Sequence, residues 1–174
     1  MTDIEFLQYP IGRFSMPENP NLLEAIAQIK KLPEYIQSAV SNLSEKQLDT
    51  PYRPGGWTVR QLVHHLADSH MNAFIRFKLA LTEENPTIKP YDEAAWAKLP
   101  DSELEIDPSL SILANVHYKW SVLLKNMSEE DFSRTYFHPE NGQKQSLFEV
   151  THMYAWHGQH HLAHIQHLAL RENW

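Results

Sequence analysis

Six of the eleven histidines in this 174-residue chain fall within nineteen residues near its end, HMYAWHGQHHLAHIQHLAL, from His152 to Leu170. Imidazole binds transition metals and titrates near neutrality, so such a cluster points to metal binding or proton chemistry. Leu162, Ala163, Ile165 and Leu168 interrupt the run and give it an amphipathic rhythm that a purification tag lacks. Leu147, Val150, Tyr154, His157, His161, His164 and Leu168 advance in steps of three and four, the stripe a helix turns toward a core. Midway along it, apolar residues give way to imidazole. His157 and His161 are four apart, one turn along the same face. Two rings so placed can grip one ion, as in the H-E-x-x-H zinc helices. A lone core histidine is ordinarily satisfied by a single hydrogen bond. Three on one buried stripe need several partners, and a divalent cation supplies them together.

Two ligands on one helix require a third from another element. VHHLADSH offers His64, His65 and His70. The stripe through this second segment, Val59, Val63, Leu66, His70, Phe74, Phe77 and Leu81, places His70 toward the core and His65 toward the polar side. His117 and His138 (in FHPE) are further candidates. Metal-bound histidines donate their other ring nitrogen to an acceptor, for which Asp68, Asn72, Glu149 and Gln159 are near in sequence. The spacing assigns no general acid or base. Arg53 and Arg76 suit an anionic substrate, although a surface ion pair is the commoner fate of arginine. Tyr154 and Trp156 read as core or pocket wall.

Four long segments of helical rhythm must position these residues. The first, NPNLLEAIAQIKKLPEYIQSAVSNL (19–43), follows an extended, proline-marked arm. Pro33 is expected to kink or interrupt it, because proline brings no N–H. Ser44 with Gln47, Thr58 with Gln61 and Ser146 with Glu149 have the capping-box spacing. The second helix starts at Thr58 and reaches about residue 85, after the loop TPYRPGGW. Residues 86–106 form a crossover loop with a short helical turn after Asp92. Asp107 followed by Pro108 reads as a cap with proline at the first helical position, opening a third helix that runs to about Met127. Asn141-Gly142 suits the turn of a small hairpin. The last helix runs from Ser146 almost to Trp174. The expected architecture is all-α: a four-helix bundle with a long crossover loop and short additional helical turns, one domain over 1–174.

The absence of cysteine removes disulfides and thiolate sites, leaving nitrogen and oxygen as metal ligands. A formal charge of −7 argues against a nucleic-acid surface. No stretch has the length of apolar sequence needed to cross a bilayer, and the acidic start lacks the pattern of a secretion signal, so a cytoplasmic location is expected.

The segments LDTPYRPGGWTVRQLVHHLADSHMNAFIRFKLALTEENPTIKPYDEAAW and WHGQHHLAHI resemble the DinB-like superfamily of metal-binding four-helix bundles and, within it, the YfiT-type metal-dependent hydrolases. The resemblance extends over nearly the whole chain. It implies a metal site of three histidines: His65, directly before the Leu of HLA, with His157 and His161. On this point it overrules the periodicity that favours His70. It leaves His164 open, since the wider superfamily commonly has Gln there. It further implies one divalent metal per subunit, zinc or nickel, a small-molecule substrate and a homodimer, to which Trp96, Trp120 and Trp174 are the sequence's weak support. Three neutral histidines leave a fourth position for water, whose pKa the metal lowers to about 7. Hydrolysis is the expected reaction. The alternatives are transfer of a low-molecular-weight thiol and a non-catalytic bundle that the metal merely stabilises.

Overall fold

The computed structural model describes residues 3–174. In chain order the elements are α1 (Asp3–Gln8), α2 (Leu22–Val40), α3 (Glu45–Leu48), α4 (Val59–Thr82), α5 (Glu93–Trp96), a 3-10 turn (Pro100–Glu103), α6 (Asp107–Lys125), α7 (Glu129–Ser133), β1 (Thr135–His138), β2 (Gln143–Ser146) and α8 (Leu147–Glu172). None of the described helices is long and apolar enough to cross a membrane.

Local chemistry sets most of the boundaries. All three expected capping boxes form, on α3, α4 and α8, and Ser128 with Asp131 adds an unanticipated fourth that starts α7. Asp92 caps α5 by accepting from the Ala95 amide at 2.9 Å. Asp107 is the first residue of α6 rather than its cap; Ile106 stands at the cap and offers no side-chain bond. The proline-marked arm begins with the short helix α1. Helix α2 runs unbroken through Pro33, correcting the expected interruption. The hairpin pairs Thr135 with Ser146 and His138 with Gln143, so its loop spans four residues and not Asn141-Gly142 alone. Gly142 closes it at φ 62°, in the left-handed region that suits glycine. Phe137 of the hairpin also bonds the crossover loop, donating to Pro86 O at 2.9 Å and accepting from Ile88 N at 3.1 Å.

The four long helices pack in the order α2, α8, α4, α6 around the bundle: α2 against α8 and α6, and α4 against the same two. The sequence neighbours α2 and α4 therefore face each other across the diagonal. One apolar cluster gathers Ile29, Phe77, Trp120, Tyr136, Leu147 and Tyr154; another gathers Leu32, Leu62, Leu66, Leu113, Leu162 and Leu168. Trp120 is wholly buried in the first, so it is core and not available to a partner surface. Helix α2 passes directly from one cluster to the other between Ile29 and Leu32, whereas α4, α6 and α8 cross a polar layer. In α4 the change comes between Leu66 and Ala73, at His70; in α6 between Leu113 and Trp120, at His117; in α8 between Tyr154 and Leu162, at His157 and His161.

Gly158 lies beside this layer, where α8 meets α2. A Cβ there would enter the van der Waals envelope of Leu32 Cδ2, and Leu32 is itself 1% exposed. Substituting Gly158→Val is expected to destabilise the fold by about 2 kcal/mol through overpacking, read as a lowered thermal midpoint. An unchanged midpoint would contradict this close approach.

Candidate metal centre

His65 arises from α4, and His157 and His161 from one face of α8. One nitrogen from each ring lies within 4.8 Å of the others. His157 Nε2 is 3.4 Å from His65 Nε2 and 3.2 Å from His161 Nε2. An ion held at ~2.0 Å from imidazole nitrogens in tetrahedral geometry sets its ligands about 3.3 Å apart. The two separations from His157 therefore already match what a tetrahedral ion requires, the third pair lies within 4.8 Å, and the donor set fits a divalent metal.

His65 and His161 are buried and His157 is half-buried. Burial lowers the pKa of His65 to about 4. His157 and His161 are held well below the ordinary imidazole value, first by burial and then by the neighbouring rings. All three are thus neutral at pH 7, the state in which imidazole offers a lone pair to a metal. The loop before α4 walls the site: Trp57 packs 4.6 Å from His65, and Tyr52 stacks at 4.0 Å on His164. That aromatic wall carries no periodic signature in the sequence.

His65, and not His70, joins both rings of the α8 pair in one group of mutually close nitrogens; His70 meets His157 alone, at its other ring nitrogen. Periodicity misplaced His65 because α4 is buried around its whole circumference from Leu62 to Ala67, under α6, α8 and the 3-10 turn. A helix without a polar face gives the stripe argument nothing to separate. The neighbouring His64 is a satisfied core residue: it donates from Nε2 to Leu104 O at 3.2 Å, and Nδ1 accepts from Ser109 Oγ at 2.7 Å. His70 lies behind the triad, its Nε2 3.1 Å from His157 Nδ1, and its Nδ1 is 2.8 Å from His117 Nε2. His138 sits apart on β1.

No hydrogen bond among the described residues joins the expected acceptors to the ligand rings. Glu149 closes the α8 capping box, the Asn72 amide donates to Asp68 O, and Gln159 lines a 340 Å³ cavity with Phe14, His152 and Trp156. Burial and the nearby Asp101 raise the pKa of Asp68 to about 6. Tyr154 is core and meets His70 edge-on, while Trp156 stacks on His160. Among the described residues neither Arg53 nor Arg76 forms an ion pair: Arg53 donates to Pro54 O and Arg76 to Lys89 O.

A second group, His160, His161 and His164, also brings one nitrogen from each ring within 4.8 Å and shares His161 with the first. His164 donates from Nε2 to Gln8 O at 3.2 Å, which ties the end of α1 to α8. The Nδ1 atoms of all three rings are buried without a hydrogen-bond partner among the described residues. Burial lowers His160 to about 4 and, aided by His160, His164 to about 3.

These lowered values carry a stability consequence in the metal-free protein. Folded rings with pKa values near 4 stay neutral while their unfolded counterparts, at 6.5, take up protons. The unfolded state therefore binds more protons below pH 6.5, and stability falls with pH from there toward 4. Thermal midpoints are expected to be level with respect to these groups above pH 6.5 and to drop progressively below it. A midpoint insensitive to acid down to about pH 4.5 would contradict neutral burial of the layer.

Comparison with known proteins accords with this geometry. The model of the DinB superfamily matches residues 28–165. A protein of Bacillus pumilus named "Putative metal-dependent hydrolase" is 52% identical over 171 residues, 97% of this chain and 98% of its own length. A relative of the same name from Bacillus cereus is 53% identical with the same coverage. Among solved structures, YfiT from Bacillus subtilis, described as a probable metal-dependent hydrolase with an unusual four-helix bundle topology, superposes with a TM-score of 0.93 at 44% identity, covering 97% of this chain and 99% of that one. The mycothiol-dependent maleylpyruvate isomerase shares the fold alone, with a TM-score of 0.66 at 18% identity over 88% of this chain and 63% of that one. The chain belongs to the DinB superfamily, alongside its YfiT-like members.

Proposed function

We propose that this chain is a metal-dependent hydrolase of a small polar substrate, with one divalent cation, zinc or nickel, held by His65, His157 and His161. The observation that carries the reading is the convergence of three neutral imidazoles from two helices, with His157 Nε2 at 3.2 and 3.4 Å from its counterparts. When bound, the cation supplies Lewis acidity and a water activated near pH 7. The protein's own groups supply the rest. Burial keeps the three rings deprotonated, so no proton has to leave before a metal is taken up. Trp57 covers His65, and Tyr52 covers the neighbouring His164. The buried, unpartnered Nδ1 atoms of His160 and His164 adjoin the triad through His161. The same reading includes a homodimer, for which Leu170 and Trp174, 76% and 40% exposed at the end of α8, are available apolar groups.

His65→Ala, His157→Ala and His161→Ala are each expected to lower metal retention about a hundredfold or more while the helical spectrum persists, measured by metal analysis after dialysis against a chelator. Metal-loaded protein is expected to turn over members of an ester and amide panel. Turnover seen only when a low-molecular-weight thiol is present would replace hydrolysis with thiol transfer. Full metal retention in all three alanine variants would remove the site.

A further inference from the structure

We propose that His70 and His117 are positioning residues that hold the His157 ring in the tautomer able to bind metal, through a hydrogen-bond relay anchored on the Ile29 carbonyl. The role rests on the metal reading above; the relay itself is argued from hydrogen-bond geometry.

Its direction is forced from the far end. In an α-helix the Ile29 carbonyl would accept from the amide of residue 33. That residue is Pro33, which has no N–H, and α2 runs unbroken through it. The proline thus leaves a backbone acceptor free inside the bundle. His117 Nδ1 lies 2.5 Å from Ile29 O. A carbonyl oxygen only accepts, so Nδ1 carries the proton and donates. The Nε2 of a neutral His117 is then bare, and it accepts from His70 Nδ1–H at 2.8 Å. His70 Nε2 is bare in turn and accepts from His157 Nδ1–H at 3.1 Å. His157 is left with its lone pair on Nε2, the atom that faces His65 and His161.

Each step crosses to another helix: His157 on α8, His70 on α4, His117 on α6 and Ile29 on α2. His70 and His117 are 0% and 1% exposed, and among the described residues no carboxylate pairs with either ring, so neither ring has a partner that would stabilise a charge. A free imidazole exchanges between two tautomers, and the wrong one at His157 would point an N–H where the ion belongs. The relay removes that alternative before any metal arrives.

The test uses the full-length chain. Long-range proton–nitrogen NMR correlations in metal-free, histidine-labelled protein report which ring nitrogen is protonated. His157, His70 and His117 are all expected as Nδ1–H forms, and any one of them found as Nε2–H overturns the relay. Competition between the protein and a chromophoric chelator for Zn²⁺ reads its consequence. His117→Leu is expected to weaken Zn²⁺ binding about tenfold or more. His117→Gln should recover most of the affinity, because its amide can donate to Ile29 O and accept from His70. A folded His117→Leu protein that binds Zn²⁺ as tightly as the unaltered chain overturns the positioning role. Should that variant not fold, the tautomers of the unaltered chain decide. Failure of the unaltered chain to bind Zn²⁺, with all three rings as Nδ1–H, would sink the metal reading and with it the role, leaving the hydrogen bonds as described.

Discussion

The bundle depends on one constraint: a layer of imidazoles crosses an otherwise apolar interior, and its buried nitrogens need partners. An unpartnered polar atom in such surroundings costs on the order of 1–3 kcal/mol, a large part of a small domain's net stability. His64 meets the constraint with Ser109 and Leu104, and His70 and His117 meet it with each other and with the backbone of α2. The three Nε2 atoms of His65, His157 and His161 meet it only poorly among themselves, at 3.2 and 3.4 Å between bare or singly protonated nitrogens. A shared cation answers the same need with better geometry. Structure and chemistry thus draw on the same atoms.

The packing around the layer follows from that need. Gly158 gives up a side chain so that α2 can lie close to α8. Pro33 withholds an amide so that a carbonyl of α2 can serve a ring on α6. Arg60, buried at the start of α4, is paired with Asp49 and Glu45 and donates to Leu104 O, and Gln61 bonds Ala97 O, so the crossover loop is fixed over the helix that brings His65. At the other end, the bonds of Phe137 to Pro86 and Ile88 fasten the same loop to the hairpin.

Much of this was legible in the sequence because helices advertise their starts and their faces. The three capping boxes located the beginnings of α3, α4 and α8, and the step-of-four spacing put His157 and His161 on one face. His65 escaped periodicity because α4 is enclosed on every side where that residue sits; only the family likeness singled it out. Helix α1 went unread beside its prolines, and α7 is a single short turn whose one signal, Ser128 with Asp131, is easily passed over. Proximity in sequence favours the carboxylates and amides of Asp68, Asn72, Glu149 and Gln159 as partners for the ligand rings, and none of them is the partner of His157 Nδ1. That partner is instead a histidine 87 positions away, a pairing that tertiary packing alone creates. Pro33 was legible as a residue without a donor, but what that missing donor releases is visible only once α6 is laid against α2.

The diagonal arrangement of α2 and α4 has a bearing on how the molecule is made. His65 and His157 are 92 positions apart, and α8 is synthesised after the other three long helices. Until it is made, the growing chain carries a single member of the triad, and the earlier helices lack the strand of the bundle that α2 and α4 both lean on. Closure over such sequence separations is slow compared with local helix formation. The three rings can therefore meet only once α8 has been made and has packed between α2 and α4.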